Sequence, residues 1–337
     1  MRETAGRFDR RGFLLTATAV TVAGSVGVGR AASAAERAGV AGSDPVGVNG
    51  AESTVAGSGR ARRLVAGTRT VGGFEVVPLL DAAGPFFLGR QQAFPEATAA
   101  DWEAARVVDP AAFGPGDSWH LDFRCFVVRG PQAGVTLVDT GVGPADSPAA
   151  DWAPTPGRLP AELDRAGIDP ADVDTVVLTH LHEDHFGWSV GPDGTPMFPN
   201  ARYVVQRTEV AALPSGDQAR AYAVDPLRAT GQLDEVDGAV RLVTAGRRRS
   251  GWIGVVPTPG HTPGHQSVVV DGGRARVIVT GDVLVHAVQL VNPEVGYAFE
   301  ADPEAARRTR RWLLRESRGR RTALATAHLN HPWTHLP

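Results

Sequence analysis

The six-residue run "HLHEDH" places His180, His182, Asp184 and His185 almost side by side. Imidazoles this close would repel one another if protonated. A bound cation removes the conflict, because neutral imidazole and carboxylate oxygen are ligands for Zn²⁺, Fe or Mn²⁺. More donors follow in short segments: His261 and His265 in "TPGHTPGH", Asp282 in "TGD", and His328, His331 and His335 near the end. Eight of the ten histidines fall in three such clusters, so the grouping is a pattern rather than scatter. The one cysteine, Cys125, leaves no basis for a thiolate zinc site, and its apolar run "FRCFVVR" makes it a small buried hydrophobe. Seven donors (His180, His182, Asp184, His185, His261, Asp282 and His328) are too many for one tetrahedral ion. They suit two ions that share a carboxylate. His180 and His182 project the same way from an extended loop, Asp184 and His185 face a second ion, and Asp282 is placed to bridge.

Strands must position these groups. β-branched runs at 74–80, 125–129, 135–141, 173–180, 201–206, 253–261, 267–273, 276–282 and 322–328 predict strands. His180, His261, Asp282 and His328 each come just past the end of one, where ligand sites of sheets with helical cover lie. "RLPAELDRAG" predicts a helix stopped by Gly167, and "ADPEAARRTRRWLLRES" a helix capped by Asp302 with Pro303 at its first position. Its arginines, and Arg247 to Arg249, read as a solvated face. Together these predict an α/β or α+β sandwich with helices over the sheet faces.

His-x-His-x-Asp-His after a strand, then "TPGHTPGH", "TGD" and a late "AH", resembles the metallo-β-lactamase superfamily over residues 64–337. The resemblance implies an αβ/βα sandwich of two mixed sheets packed face to face. It assigns His180, His182 and His261 to one metal, Asp184, His185 and His328 to the other, and Asp282 to both. "LVDTG" at 137–141 matches the family's turn near the metals, which gives Asp139 a supporting role; His265 is expected to orient a neighbour. The tail from Gly281 looks most like the branch of quorum-sensing lactonases and methyl-parathion-type hydrolases. Its acyl-homoserine lactonases commonly carry a tyrosine three residues after the bridging aspartate, where Val285 stands here, followed by His286. The ending "HLNHPW" also differs from the branch's usual one.

The implied reaction is hydrolysis of an ester-like bond in a lactone, aryl ester or organophosphate. Two divalent ions, most simply zinc, would share a water and lower its pKa toward ~7, and Asp184 would orient that water or relay its proton. Trp188, Phe86, Phe87, Trp119 and His286 are candidates to contact the substrate, the aromatic ones as apolar walls; His120 reads as structural. A thioester hydrolase of glyoxalase II type and a non-catalytic exported metal-binding protein are the alternatives. Diiron relatives carry glutamate at the position of His182, which argues against oxygen reduction.

The chain has 337 residues and a net charge of −3. Five arginines against Glu3 and Asp9 make the first 34 residues +3, so the remainder carries −6, which argues against a nucleic-acid partner. "FDRRGFLL", a weakly apolar stretch and Ala32-Ser33-Ala34 predict a twin-arginine-type export signal over residues 1–34, cleaved to leave no stable membrane insertion. A Gly, Ala and Ser-rich leader over 35–62 and a hydrolase domain over 63–337 follow, with a periplasmic or extracellular destination and a small-molecule substrate expected. A homodimer is compatible with the sequence.

Overall fold

Alternating side chains decide which way each strand faces. In the first sheet the neighbours Val76 and Val77, Phe126 and Val127, and Val204 and Val205 point into different cores. In the second, Val268 and Val269, Val277 and Ile278, and Leu324 and Ala325 separate in the same way. A sheet that is apolar on both faces must be covered on both.

The structure is a computed structural model that describes residues 65–130, 134–191, 193–244, 251–319 and 321–334. The expected export signal, the leader, Arg247 to Arg249 and His335 lie outside these. The first sheet holds β1 (Arg69–Val71), β2 (Phe74–Gly89), β3 (Ser118–Gly130), β4 (Gly134–Val138), β5 (Thr175–Val177), β6 (Arg202–Gln206) and β7 (Leu233–Val236) in that spatial order. It is antiparallel from β1 to β4 and parallel from β4 to β7. The second holds β8 (Val240–Thr244), β9 (Trp252–Pro257), β10 (Gln266–Asp271), β11 (Ala275–Val279), β12 (Arg321–Ala325) and β13 (Trp333–Thr334), ordered β13-β12-β11-β10-β9-β8. Only its β11–β12 pair is parallel.

Between the sheets lies a core of Val76, Phe126, Val138 and Val177 against Ile253, Val268, Val277 and Ala325. The helices are α1 (Arg90–Ala93), α2 (Ala99–Val108), α3 (Leu159–Arg165), α4 (Glu183–Phe186), α5 (Arg207–Ala212), α6 (Asp225–Ala229), α7 (Val288–Val291) and α8 (Pro303–Gly319). Leu159 and Leu163 of α3 cover the outer face of the first sheet. Leu313 and Leu314 of α8 cover that of the second. The result is the αβ/βα sandwich, each fully buried Leu or Val contributing about 1.5–3 kcal/mol.

Helix ends follow the sequence. Gly167 takes a φ of 70° just past α3, and the Ile168 N–H closes back on the Leu163 carbonyl. Asp302 caps α8 by accepting the Ala305 N–H at 3.0 Å. The solvated-face reading of α8 needs correction at Arg310, which is buried and paired with Glu300. It falls between Ala306 and Leu313 on the inward stripe, and its partner lies outside the helix. The strand predicted over 74–80 runs longer: β2 continues to Gly89 through register shifts at Leu80/Ala82 and Pro85/Gly89. No helix among the described residues is long and apolar enough to cross a membrane.

Candidate metal centre

The parallel run β4–β5 and the turns around β9, β10, β11 and β12 bring their connections to one edge of the sandwich. Asp139 follows β4, His180 follows β5, His261 follows β9, His265 precedes β10, Asp282 follows β11 and His328 follows β12. Gln266 ties the sheets together there. Its backbone N–H donates to the Thr179 carbonyl at 2.9 Å, and its side chain donates to the Leu178 carbonyl at 2.8 Å.

The seven expected donors meet at this edge in two groups. His180, His182, His261 and Asp282 form the first, and Asp184, His185 and His328 the second. In the first, Nε2 of His180 and Nε2 of His261 each lie 2.9 Å from Nδ1 of His182. In the second, Nε2 of His185 and of His328 each lie 3.5 Å from Oδ2 of Asp184. Asp282 divides between them. Oδ2 lies 3.3 Å from His261 and 4.0 Å from His180, while Oδ1 lies 3.3 Å from His185 and 3.1 Å from His328.

Neighbouring groups fix which ring nitrogen faces inward. His185 Nδ1–H donates to Asp139 Oδ2 at 2.9 Å, and His328 Nδ1–H donates to the Asp122 carbonyl at 2.9 Å. Both therefore turn Nε2, the nitrogen that would bind a cation in place of a proton, toward the carboxylates. Asp139, at the left-handed φ of 60°, also accepts the Thr179 N–H and hydroxyl. His265 accepts the Asp282 N–H at Nε2 and donates from Nδ1 to Thr258 Oγ1, so it aims the shared carboxylate.

The donors fit cations. His185 Nε2 and Asp282 Oδ1 are buried without a hydrogen-bond partner, and an orphaned buried acceptor costs about 1–3 kcal/mol unless something positive meets it. Charge distribution agrees. Burial disfavours the cationic form of His185, yet Asp184, Asp282 and Asp139 outweigh it and hold its pKa well above the ordinary value. Burial and the neighbouring His185 and His182 push His180 well below its own. Asp282, despite burial, is held well below the usual carboxylate range by His328, His185 and His261. Positive charge is wanted here, and cations can replace the protons that would otherwise supply it.

Contacting aromatic rings run from one group to the other. Phe123 stands edge-on to His328 at 5.4 Å and 6.0 Å from Trp152, which is 5.9 Å from Phe87. Phe299 lies 6.0 Å from Phe87 and 5.4 Å from Tyr297, and Tyr297 stacks on His261 at 6.0 Å with planes 11° apart. Phe86 backs Phe87 at 4.2 Å. Trp152 is tied to the motif loop, its indole N–H donating to Glu183 Oε2 at 2.7 Å.

Three expected substrate contacts lie elsewhere. Trp119 is buried behind Phe86. His286 is enclosed by Phe94, Trp102, Phe113 and Trp119, with ring centroids 5.2–5.6 Å away. Trp188 packs against the core under α3 and donates its indole N–H to buried Asp81 at 3.1 Å. Three residues along the chain from His185 are enough for the α4 turn to reverse direction. His331 donates to the Val108 carbonyl, a structural bond. Phe123, Trp152, Tyr297 and Phe299 were not read from the sequence; an aromatic side chain without period or spacing is their only mark. Asp122, Arg124 and Asp109, which strap the loop of His328, were also missed.

Known proteins share this plan. The family model described as "Metallo-beta-lactamase superfamily" matches residues 124–328. An N-acyl homoserine lactonase of Bacillus sp is 25% identical over 218 residues, 60% of this chain and 80% of that one. The N-acyl homoserine lactonase AttM of Azorhizobium caulinodans is 32% identical over 174 residues, 47% of this chain and 62% of its own length. Among solved structures, the hydrolase AbOPH superposes with a TM-score of 0.63 at 24% identity, covering 81% of this chain and 94% of that one. AidC, a dizinc quorum-quenching lactonase, does so with 0.63 at 20% identity, covering 80% and 93%. With more than half of its length matched by the family model and its fold shared, the chain belongs to the metallo-beta-lactamase superfamily and is a metal-dependent hydrolase.

Proposed function

We propose that the protein is a binuclear hydrolase of neutral, ester-like small molecules, a lactone with an apolar substituent being the best fit. The division of Asp282 between two donor groups carries the binuclear reading. The ring collar carries the substrate reading: ring faces suit an uncharged apolar group, whereas a phosphate dianion or glutathione would call for cations at the mouth. The names of the relatives favour a lactone over the other ester-like bonds.

His180, His182 and His261 would hold one divalent ion, Asp184, His185 and His328 the other, and Asp282 both; zinc suits these donors. Bound there, the ions would supply Lewis acidity and ionise water near neutral pH. The chain's own part is orientation and proton transfer. Asp139 and the Asp122 carbonyl keep His185 and His328 as acceptors toward the second group. Asp184, half-buried beside both, takes the proton of the attacking water on a carboxylate oxygen and returns it to the leaving oxygen. Phe87, Phe299 and Trp152 hold the apolar substituent and exclude bulk water. Val285 is buried where a tyrosine is common in the branch, and Tyr297 brings a phenol ring beside His261 from another part of the chain.

A hydrolysis panel of lactones, aryl esters, organophosphates, glutathione thioesters and β-lactams, with metal content measured on the same samples, tests this. Two ions per chain and fastest turnover of an acyl-substituted lactone are expected. Preference for glutathione thioesters would move the protein to the glyoxalase II type, and metal binding without any turnover would make it a binding protein. The same reading has the chain exported; Arg10→Lys with Arg11→Lys should then retain it in the cytoplasm, and unchanged export would refute the twin-arginine signal.

A further inference from the structure

Glu209 is the third residue of α5, and it is buried. Its two carboxylate oxygens go to two different loops. Oε1 accepts the Leu181 N–H at 3.0 Å, and Oε2 accepts the Gly264 N–H at 2.9 Å. Leu181 lies between His180 and His182; Gly264 lies three residues after His261 and directly before His265. One carboxylate thus joins the loop from the first sheet to the loop from the second, where both present imidazoles to the same donor group. The joint is tight, since a Cβ on Gly264 would overlap the backbone of Glu209. It is also anchored, because Gln206, three residues before Glu209, donates to Gln266 at 2.9 Å.

We propose that Glu209 is a positioning residue for the first donor group: it sets the distance of His180 and His182 from His261 and so tunes how tightly that group holds its ion. This rests on the binuclear reading. A glutamine cannot replace it, because one of its two amide heteroatoms is a donor and would face a backbone N–H. Glu209→Gln therefore releases one of the two loops.

Zinc content and chelator competition on the full chain, wild type against Glu209→Gln, test the proposal. One of the two ions is expected to bind about 10–100-fold more weakly, as for lost partners of metal ligands elsewhere, while the other is unchanged. The cobalt-substituted spectrum of the variant should approach that of His261→Ala rather than His328→Ala. Unchanged affinity at both groups, or equal weakening of both in step with the melting temperature, overturns the proposal. Should the variant not fold, hydrogen exchange on metal-free wild type decides. The Leu181 and Gly264 amides must then exchange as slowly as those of β5 and β10, and fast exchange overturns the clamp. That arm needs no metal, so it separates the clamp from the binuclear reading, which falls if wild type holds fewer than two ions.

Discussion

Asp282 faces both donor groups with one oxygen each, so its loss should empty both rather than one. A group that only orients a metal ligand is worth about 10–100-fold in affinity. Asp282→Ala should therefore exceed 100-fold, about the top of that range, and activity should fall with the metal. A variant that stays active while poor in metal would rule out the bridge. His286 allows a different measurement. Burial, then the charge of Arg90, push its pKa down to about 3. The native ring stays neutral while the unfolded one gains a proton below about 6.5. Its contribution is thus complete above that pH and is lost as pH falls toward 3, at about 1.4 kcal/mol per unit. His286→Phe should flatten the pH dependence of urea stability between pH 6.5 and 5 by about that slope; an unchanged slope would mean the ring is solvated. The donor histidines were legible because their spacing is unusual. Asp122 and Glu209 were not: Asp122 meets His328 through its main-chain carbonyl, which no side-chain pattern marks, and a single glutamate just after a strand looks like any surface acid.

At the scale of elements, β-branched runs made β2, β3, β4, β5, β6, β9, β10, β11 and β12 visible. β7 and β13 escaped because "LDEV" breaks its apolar ends with two acids and "WT" is two residues long, so neither forms such a run. The strap between α8 and the 292–302 connection was hidden for another reason: an arginine on a helix argues for solvent until its partner is known. Arg310 pairs with Glu300, and its Nε and Nη2 donate to the carbonyls of Pro293 and Val295 at 3.0 and 3.1 Å. It thereby fixes the segment that carries Tyr297 and Phe299. Arg310→Leu would leave Glu300 buried without its counter-charge, a loss of about 3–5 kcal/mol. Adding Glu300→Gln should recover much of that in urea denaturation, because the isolated charge causes most of the damage. Equal stability of the single and double variants would show that the carbonyl bonds matter more than the charge.

Across the whole molecule, the family resemblance carried the sandwich, but strand order and the collar needed coordinates, because both depend on pairings between distant segments. The two sheets supply the donors unequally: His180, His182, Asp184 and His185 follow the first, whereas His261, Asp282 and His328 follow the second. Each donor group therefore draws on both sheets, and a cation in either one would staple them at the active edge. Anything that binds only the folded state stabilises by mass action, about 4 kcal/mol at a thousandfold excess over Kd. Chelation should lower the melting temperature by several degrees with little change in secondary structure, since the inter-sheet valine core remains. Zinc should restore it in proportion to the ions bound. The gain should shrink in mild acid, where protons compete for His185 and His328, whose pKa values the site carboxylates raise. A melting temperature indifferent to chelator from pH 8 to 6 would mean that the two sheets are held without ions, and the staple would have to be abandoned.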